Sequence, residues 1–370
     1  MKNTLKFGAI AAVAALSLAA CGQAPAEQSS PSGDTTQSDA GAAPSSDVKA
    51  CMVSDSGGFD DKSFNQSGHE GLMRAKDELG VAVDQAESQS DQDFVPNINN
   101  MVQGGCDIII GVGFLMADAM DQAAAEHPDV KFALVDSTFA SQAEGVDGLP
   151  NARALVFNTA EASYLAGYAA AAMTTDKVGT YLGANLPTTA IFADGFADGI
   201  AKYNEVHGKD VELVGWDKAK QEGMAVGNFE DVPKGKQFTE QLIEQGARVI
   251  MPVAGPVGAG TLAAAKDSAD TWVVWVDADG VETQPEYKDI ILTSVMKDIG
   301  NAVFDTIKAV QDGSFDANPY IGTLENGGVG IAPWHEFEDV VPQEIKDEID
   351  QLKQDIIDGK IVVETVNAPK

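Results

Sequence analysis

Short apolar segments alternate with longer amphipathic ones from about residue 48 onward, and this alternation constrains the fold more than any other feature. Runs such as "CDIIIGV" and "TWVVWVD" are rich in Ile and Val, as is typical of buried strands. Between such runs lie segments with helical spacing, for example "SFNQSGHEGLMRAKDELG", which ends at Gly80. Strands that alternate with helices predict parallel sheets covered by helices. Because the series runs twice, we expect an α/β protein with two doubly wound lobes.

The amino-terminal stretch "MKNTLKFGAIAAVAALSLAAC" has the layout of a secretion signal. Lys2 and Lys6 precede an apolar segment that is too short to cross a bilayer. Because "LAAC" resembles a bacterial lipobox, residues 1–20 are predicted to be a lipoprotein signal peptide and Cys21 the lipid-modified residue. Residues 21–47 are predicted to be a disordered tether, since residues 22–47 contain no aromatic residue and no Ile, Leu, Val or Met. The folded part is then held at the extracytoplasmic face of the cell membrane by its lipid anchor alone.

The charge balance argues against nucleic acid as a partner. The chain has 24 Lys and Arg against 57 Asp and Glu, which gives a net charge of -33. Phosphate backbones are bound by clustered basic side chains, and this sequence offers no such cluster. Solubility is the ordinary explanation of such acidity.

The residues that follow the predicted strands are mostly Asp and Gly. Asp55, Asp136 and Asp277 each come at the end of a strand, and Gly255 occupies a similar place. Doubly wound sheets bind ligands at the carboxyl ends of their strands. Ionised Asp offers only hydrogen-bond acceptors, so such a site favours a ligand with several N–H or O–H donors and repels phosphate. The alternative is that these residues only terminate strands as turn and cap residues.

The sequence does not carry the motifs of common catalytic or metal sites. In "GPVGAGT", Gly255 and Gly260 have the spacing of a phosphate-binding loop, but Thr261 stands where that loop requires Lys. The four His residues are scattered without ligand spacing, so neither a metal nor another cofactor is predicted. No nucleophile motif is recognisable, and the chain is predicted not to be an enzyme.

Cys51 and Cys106 each stand at the start of a predicted strand, in "KACMV" and "GCDIIIGV". If those strands are neighbours in a parallel sheet, the two residues lie at the same end. A disulfide can then form between them outside the cytoplasm. The sequence leaves open whether they are bridged or remain two small buried thiols.

The segment "SDSGGFDDKSFNQSGHEGL" resembles the opening motif of the basic membrane protein family of bacterial lipoproteins, which are substrate-binding proteins of ABC transporters. Further similar segments, among them "NARALVFNTAEASYLAGYAAA", "DVPKGKQ", "WVDADG" and "NGGVGIAPW", follow in the family's order over about residues 50–340. The resemblance implies a type I periplasmic-binding-protein fold with three crossovers in its hinge. It also implies capture of a nucleoside, expected to be a purine nucleoside, for delivery to the permease subunits of an ABC transporter.

The resemblance also implies roles for the aromatic and acidic residues. In nucleoside-binding members of the family a purine lies between two phenylalanines, which correspond here to Phe64 and Phe229. Asp136 corresponds to the aspartate that binds the base. Asn65 lies beside Phe64 in the same motif and is included in the expected site, as is the backbone at Gly255.

The ribose hydroxyls are expected to bind Asp55, Asp277 and Lys297. Gly280 stands where the family often has Gln, so the choice between Asp277 and Asp279 stays open.

Lobe one is predicted to comprise residues 48–157 and 278–316, and lobe two residues 158–277 and 317–370. Two other functions remain open, a sugar receptor of the same fold and a surface-exposed interaction protein or adhesin. The sequence does not explain Phe59, which lies among glycines and aspartates in the opening motif.

Overall fold

The computed structural model describes residues 45–139 and 148–369. The predicted signal peptide, the lipid-modified Cys21 and nearly all of the predicted tether lie outside these residues. Over the two described ranges, the chain forms no helix with the length and apolar character needed to cross a membrane.

The first sheet is six-stranded and entirely parallel, in the order β13-β5-β4-β3-β1-β2. Its central strand β3 is buried over its whole length, as is typical of a parallel sheet with helices on both faces. The strands are β1 (Lys49–Ser54), β2 (Ala82–Glu87), β3 (Ile108–Val112), β4 (Lys131–Val135), β5 (Ala152–Phe157) and β13 (Tyr320–Gly322).

The second sheet repeats this arrangement in the order β14-β12-β11-β10-β6-β7. All pairs are parallel except that of β12 with β14. The strands are β6 (Lys177–Leu182), β7 (Glu212–Val214), β10 (Ala247–Val253), β11 (Trp272–Asp277), β12 (Ile291–Lys297) and β14 (Val329–Ile331); β8 (Trp216–Asp217) and β9 (Glu222–Gly223) form a separate hairpin.

The helices pack around both sheets. They are α1 (Phe64–Leu79), α2 (Phe94–Gln103), α3 (Ala117–Glu126), α4 (Thr159–Ala172), α5 (Pro187–His207), α6 (Val232–Glu244), α7 (Gly258–Asp267), α8 (Gly280–Thr283), α9 (Ile299–Gln311) and α10 (Gln343–Ile357). The described part of the chain is therefore an α/β protein of two parallel-sheet lobes, as the sequence predicts.

The chain crosses between the lobes three times, after β5, after β12 and between β13 and β14. The three crossings agree with the expected hinge, but the predicted boundary at residue 278 is wrong. Only α8 and one 3-10 segment separate β11 from β12, and β12 pairs with β11 in the second sheet. The second crossing therefore lies near residue 298.

The predicted boundary at residue 317 is wrong as well. Strand β13 pairs with β5 in the first sheet, so the third crossing follows residue 322.

Cys51 and Cys106 form a disulfide, with their Cα atoms 6.0 Å apart. Cys51 lies in β1 and Cys106 just before β3, and these two strands are neighbours in the first sheet. The bond lies at the amino ends of the strands. Both cysteines belong to the hydrophobic core on one face of that sheet.

Candidate ligand-binding site

The carboxyl ends of the strands of both sheets surround a cavity between the lobes. All eight residues that the sequence suggested as ligand-binding lie in its wall. They are Asp55, Phe64, Asn65, Asp136, Phe229, Gly255, Asp277 and Lys297.

Asp277 lines this cavity, whereas Asp279 is not among the described lining residues. The carboxylate of Asp279 instead accepts from the backbone N–H of Val281 and lies 2.7 Å from Nε2 of His335. Asp279 therefore caps α8 and holds the carboxy-terminal part of the chain.

The loop before α1 aims Phe64 at the cavity. Asp61 is buried, and its two carboxylate oxygens accept from the backbone N–H groups of Ser63, Asn65 and Gln66 at 2.9–3.0 Å. These bonds satisfy donors that the first turn of a helix leaves without partners. The side chain of Asp61 thus caps the first turn of α1 and fixes Phe64 in that turn.

Phe59 does not line the cavity but packs beneath the loop. Its ring is 6% exposed and stacks on His69 with 4.7 Å between the ring centroids. Its backbone N–H donates to Oε1 of Glu87 at 2.8 Å. Phe59 therefore anchors the loop to α1 and β2.

Asp136 and Asp277 share an uncommon backbone conformation. Their φ angles are 64° and 69°, in the left-handed region that non-glycine residues seldom adopt. Such residues concentrate at ligand sites, where the surrounding structure holds them in place. Here the conformation turns a carboxylate into the cavity directly at the end of β4 and of β11.

Lys297 connects these two carboxylates across the cleft. Its Nζ lies 2.5 Å from Oδ2 of Asp136, which belongs to lobe one, and 3.4 Å from Oδ1 of Asp277 in its own lobe. The three side chains are at most 9% exposed. Lys297 also lies over the rings of Phe64 and Phe192, at 5.1 and 4.8 Å from their centroids. Such contacts stabilise a desolvated cation.

The buried charged groups of the site shift one another's pKa values. Burial alone would lower the pKa of Lys297, but the carboxylates of Asp136 and Asp277 outweigh it and raise the pKa above its ordinary value. Burial raises the pKa of Asp136, and Lys297 opposes that rise. The ammonium of Lys297 thus keeps its charge and balances the carboxylates around it.

Asp55 lies in a different environment, without a cation beside it. Burial, helped by the neighbouring Asp61 and Asp136 and opposed by a hydrogen bond from Asn65, raises its pKa to about 8. Nδ2 of Asn65 donates to Oδ1 of Asp55 at 3.3 Å. Gly113 makes room for this carboxylate, because a Cβ atom there would collide with it. Asp55 is thus an acceptor that a donor-rich ligand would stabilise in its ionised form.

Asn65 lines the cavity and, within the described part of the chain, has an acceptor atom without a partner. Its Oδ1 is buried and has no hydrogen-bond partner among residues 45–139 and 148–369. Buried polar atoms without partners are rare in native proteins and often face a ligand.

Phe229 lies in the loop before α6 and is half-buried. Its ring occupies space that the absence of a side chain at Gly183 leaves free, since a Cβ atom at Gly183 would overlap with the ring. The cavity thus has an aromatic side chain from each lobe, Phe64 from lobe one and Phe229 from lobe two.

The sequence-based prediction missed several residues of the wall. Phe192 is the most notable of them, since it is buried on α5 and lies over Lys297. Its spacing from Phe196 on the same helix is that of a core position, so the sequence carried no signal for its second contact. The other missed residues include Phe114, Leu186, Thr188, Thr189 and Pro256.

Residues 48–367 match the model of the Bmp family, which is described as "ABC transporter substrate-binding protein PnrA-like". The chain belongs to this family. As a Bmp protein it is a substrate-binding protein of an ABC transporter, with the type I fold of such receptors.

Individual relatives agree with this assignment. The ABC transporter nucleoside-binding protein BmpA of Lactococcus lactis is 32% identical over 336 residues, which cover 86% of this chain and 89% of that protein. A lipoprotein of Pyrococcus abyssi is 31% identical over 293 residues, covering 76% of this Bmp chain and 68% of the relative. The solved structure of an ABC transporter solute-binding protein from Aeropyrum pernix K1 superposes with a TM-score of 0.76 at 26% identity. The superposition covers 85% of this chain and 92% of that one.

Proposed function

We propose that this Bmp protein captures purine nucleosides in the cavity between its lobes and presents them to the permease of its transporter. The observation that carries the proposal is the set of groups in the cavity wall. One aromatic side chain from each lobe, Phe64 and Phe229, lies in the same small space as several buried hydrogen-bonding groups. A nucleoside has a flat apolar base and a sugar with several hydroxyl donors, and so needs both kinds of group.

The aromatic groups suit the base. A planar base stacks on the ring of Phe64 or Phe229, and each aromatic contact contributes about 1 kcal/mol beyond the area it buries. Phe192 adds a third apolar surface behind Lys297. A free sugar has no planar face of this size, so the aromatic wall favours a nucleoside over ribose alone.

The polar groups suit the donors of a nucleoside. Asp136 can accept from an N–H of the base, and Asp55 and Asp277 can accept from ribose hydroxyls. Lys297 can donate to a ribose oxygen. A phosphorylated ligand would be opposed by the carboxylates, because Lys297 is the only Lys or Arg among the described lining residues.

Contacts across the cleft support capture by closure of the lobes. Besides the ion pair of Lys297 with Asp136, Oγ of Ser63 donates to Oδ2 of Asp277 at 3.0 Å and also lies 3.1 Å from the carbonyl oxygen of Val276. A ligand that contacts both lobes favours the closed arrangement, since its affinity is higher there.

The lipid anchor is part of the same proposal. The lipobox at Cys21 would hold the receptor at the extracytoplasmic face of the membrane, next to the permease. Metabolic labelling with a radioactive fatty acid tests it, since the wild type should be labelled and a Cys21→Ser variant should not. An unlabelled wild type would remove the anchor from the proposal.

A thermal-shift panel of nucleosides, free bases, nucleotides and sugars tests the ligand class. Purine nucleosides should raise the melting temperature, because a ligand that binds only the native state stabilises it. Ribose alone would indicate a sugar receptor of the same fold. A panel without any shift would favour an interaction protein.

Phe64→Ala tests the site itself. We expect nucleoside affinity to fall by about tenfold or more, because one stacking surface is lost, while the melting temperature without ligand changes little. Phe315→Ala is a matched control, since Phe315 is also half-buried but does not line the cavity. Equal affinities of Phe64→Ala and the wild type would contradict the proposed site.

A further inference from the structure

A second and larger cavity adjoins the proposed ligand cavity at Asp136. Phe114, Asp136 and Thr188 line both cavities, so the two spaces meet at these residues. Asp55 and Asp277 line the first cavity but are not among the described residues that line the second. The second cavity, named the side chamber below, therefore adjoins the part of the site where the base is expected and not the part where the ribose is expected.

Both lobes contribute walls to the side chamber. Lobe one supplies Ser137 and Thr138 after β4 and Val156 and Phe157 at the end of β5. The first turns of α5 and the carboxy-terminal segment 367–369 close it from the side of lobe two. The chamber thus forms part of the cleft.

Among its described residues, the lining of the side chamber is neutral except for Asp136. Val156, Phe157 and Ile191 give it apolar surface and are themselves at most 6% exposed. Its other polar groups are hydroxyls and the amide of Asn367, and no Lys or Arg occurs among its described lining residues. A phosphate or carboxylate would lack a counter-charge there and would meet Asp136. The lining therefore matches a neutral group with apolar bulk.

The carboxy-terminal wall is held firmly to α5. Asp194 is fully buried on this helix and accepts from Oγ1 of Thr365 at 2.5 Å and from Nδ2 of Asn367 at 3.0 Å. It also accepts from Nε1 of Trp216 at 2.9 Å and from Nε2 of Gln221. These bonds keep segment 365–367 in place, so the chamber has a defined shape that can select among ligands.

We propose that the side chamber receives a neutral substituent carried by the base, so that the protein also binds purine nucleosides with an alkyl or aryl group on an exocyclic nitrogen. This inference rests on the proposed function. An exocyclic amine with one such group keeps one N–H, which can donate to Asp136 while the group extends past Asp136 into the chamber. The substrate class is thereby widened from plain to base-modified nucleosides.

Calorimetric titration with two matched pairs of ligands tests the inference. The pairs are adenosine with N6-benzyladenosine and guanosine with N2-benzylguanosine, and the inference is judged on the pair whose parent nucleoside binds more tightly. With the wild type, the benzyl derivative should bind within about tenfold of its parent, because its ring replaces water in a preformed apolar space.

Two variants test whether the benzyl group binds in the side chamber. Thr138→Trp and Pro319→Trp each introduce bulk into its wall, and Pro319 is exposed, so that variant tolerates the larger side chain. Each should bind the parent like the wild type and bind the benzyl derivative about tenfold or more weakly, since overfilled space excludes it. Thr174→Trp, at a Thr of similar exposure that lines neither cavity, is the control and should leave both affinities unchanged.

The possible outcomes distinguish a failure of this inference from a failure of the proposed function on which it rests. If the parents bind the wild type and neither benzyl derivative does, the side chamber takes no substituent and the proposed function stands. If both Trp variants weaken parent and derivative equally, the substituent does not enter the chamber and the inference is wrong. If no nucleoside of either pair binds, the proposed function fails and the inference fails with it.

Discussion

The two lobes have the same arrangement of strands but present different side chains at the cleft. Strands β4 and β11 occupy the same position in their sheets, and each ends in an Asp with a left-handed backbone, Asp136 or Asp277. The next strands differ, since β12 ends in Lys297 whereas β5 is followed by Asn158, which bonds to Glu161 at the start of α4.

The carboxyl groups of Asp55, Asp61 and Asp136 thus come from lobe one, whereas lobe two supplies Asp277 together with the ammonium of Lys297. Asp136 has no cation of its own lobe within ion-pair distance among the described residues. The comparison teaches that lobe one reaches charge balance at the cleft only when lobe two is close. The charges of the site therefore attract the two lobes to each other.

The lobes also differ in how they are held together. Lobe one has the disulfide between Cys51 and Cys106. In lobe two, α4 and α5 approach so closely that a Cβ atom at Gly167, Gly195 or Gly199 would collide with the backbone of the other helix. Lobe one has such close packing too, since a Cβ atom at Gly71 of α1 would collide with the backbone of Gly300 in α9, so it is the disulfide that distinguishes lobe one.

Among the variants that test this comparison, Lys297→Met should have the largest effect on stability and binding. It leaves Asp136 and Asp277 buried without a cation, and the loss of one partner of a buried ion pair costs about 3–5 kcal/mol. We expect a lower free energy of unfolding in chemical denaturation and nucleoside binding weakened by about a hundredfold or more.

Lys288→Met is the matched control for that variant. The side chain of Lys288 is 50% exposed and pairs with Glu336, so its loss should change stability by less than about 0.5 kcal/mol. If Lys297→Met unfolded at the same denaturant concentration as this control, the charge of lobe one would not depend on lobe two.

Cys51→Ser together with Cys106→Ser should have the next largest effect, confined to lobe one. Loss of a disulfide typically lowers the free energy of unfolding by about 2–4 kcal/mol. Hydrogen exchange should accelerate in β1 and β3 more than in β6 and β10, and nucleoside affinity should stay the same. The reduced wild type is the control and should behave like the double variant; equal acceleration in both sheets would contradict the comparison.

Asp55→Asn should raise stability at alkaline pH while weakening binding. Burial raises the pKa of Asp55 from 3.8 to about 8, so between these values the native state keeps a proton that the unfolded state has lost. Stability therefore falls as the pH rises through this window. The variant lacks this loss, and its melting temperature at pH 8 should exceed that of the wild type by roughly a few degrees.

Melting curves from pH 4 to 9 check this prediction for the wild type and for Asp55→Asn. Asp61 contributes with the same sign, but burial raises its pKa only to about 6, so the decline above pH 6 isolates Asp55 from Asp61. Parallel curves for the two proteins over that upper range would show that Asp55 is not the group responsible.

Gly183→Ala should have the smallest effect, on binding alone. The new methyl group would overlap with the ring of Phe229 and turn it away from the cavity. We expect nucleoside affinity to fall by a few fold, about the worth of one aromatic contact, with little change in the melting temperature. Gly330→Ala is the control, because a Cβ atom there meets open space. An unchanged affinity would remove Phe229 from the aromatic wall.

The sequence predicted the α/β class, the two lobes and the convergence of the eight residues, because strand ends and family motifs are local signals. The sheet to which β12 belongs was not predictable in the same way. Which sheet a strand joins depends on pairing between distant segments, and the short link through α8 keeps β12 beside β11. Phe192 was missed because its helical spacing is that of a core residue, and its contact with Lys297 exists only in the folded protein. The side chamber, likewise, is formed by segments that lie far apart in the chain.

The place of the disulfide has a practical meaning for anyone who produces this protein. It joins the amino ends of β1 and β3, whereas the binding residues follow the opposite ends of the strands. A preparation made in a reducing cytoplasm would therefore pass a ligand-binding assay while its thiols were still free. A thiol titration, a denaturation curve or a storage test at elevated temperature would distinguish it from the oxidised material.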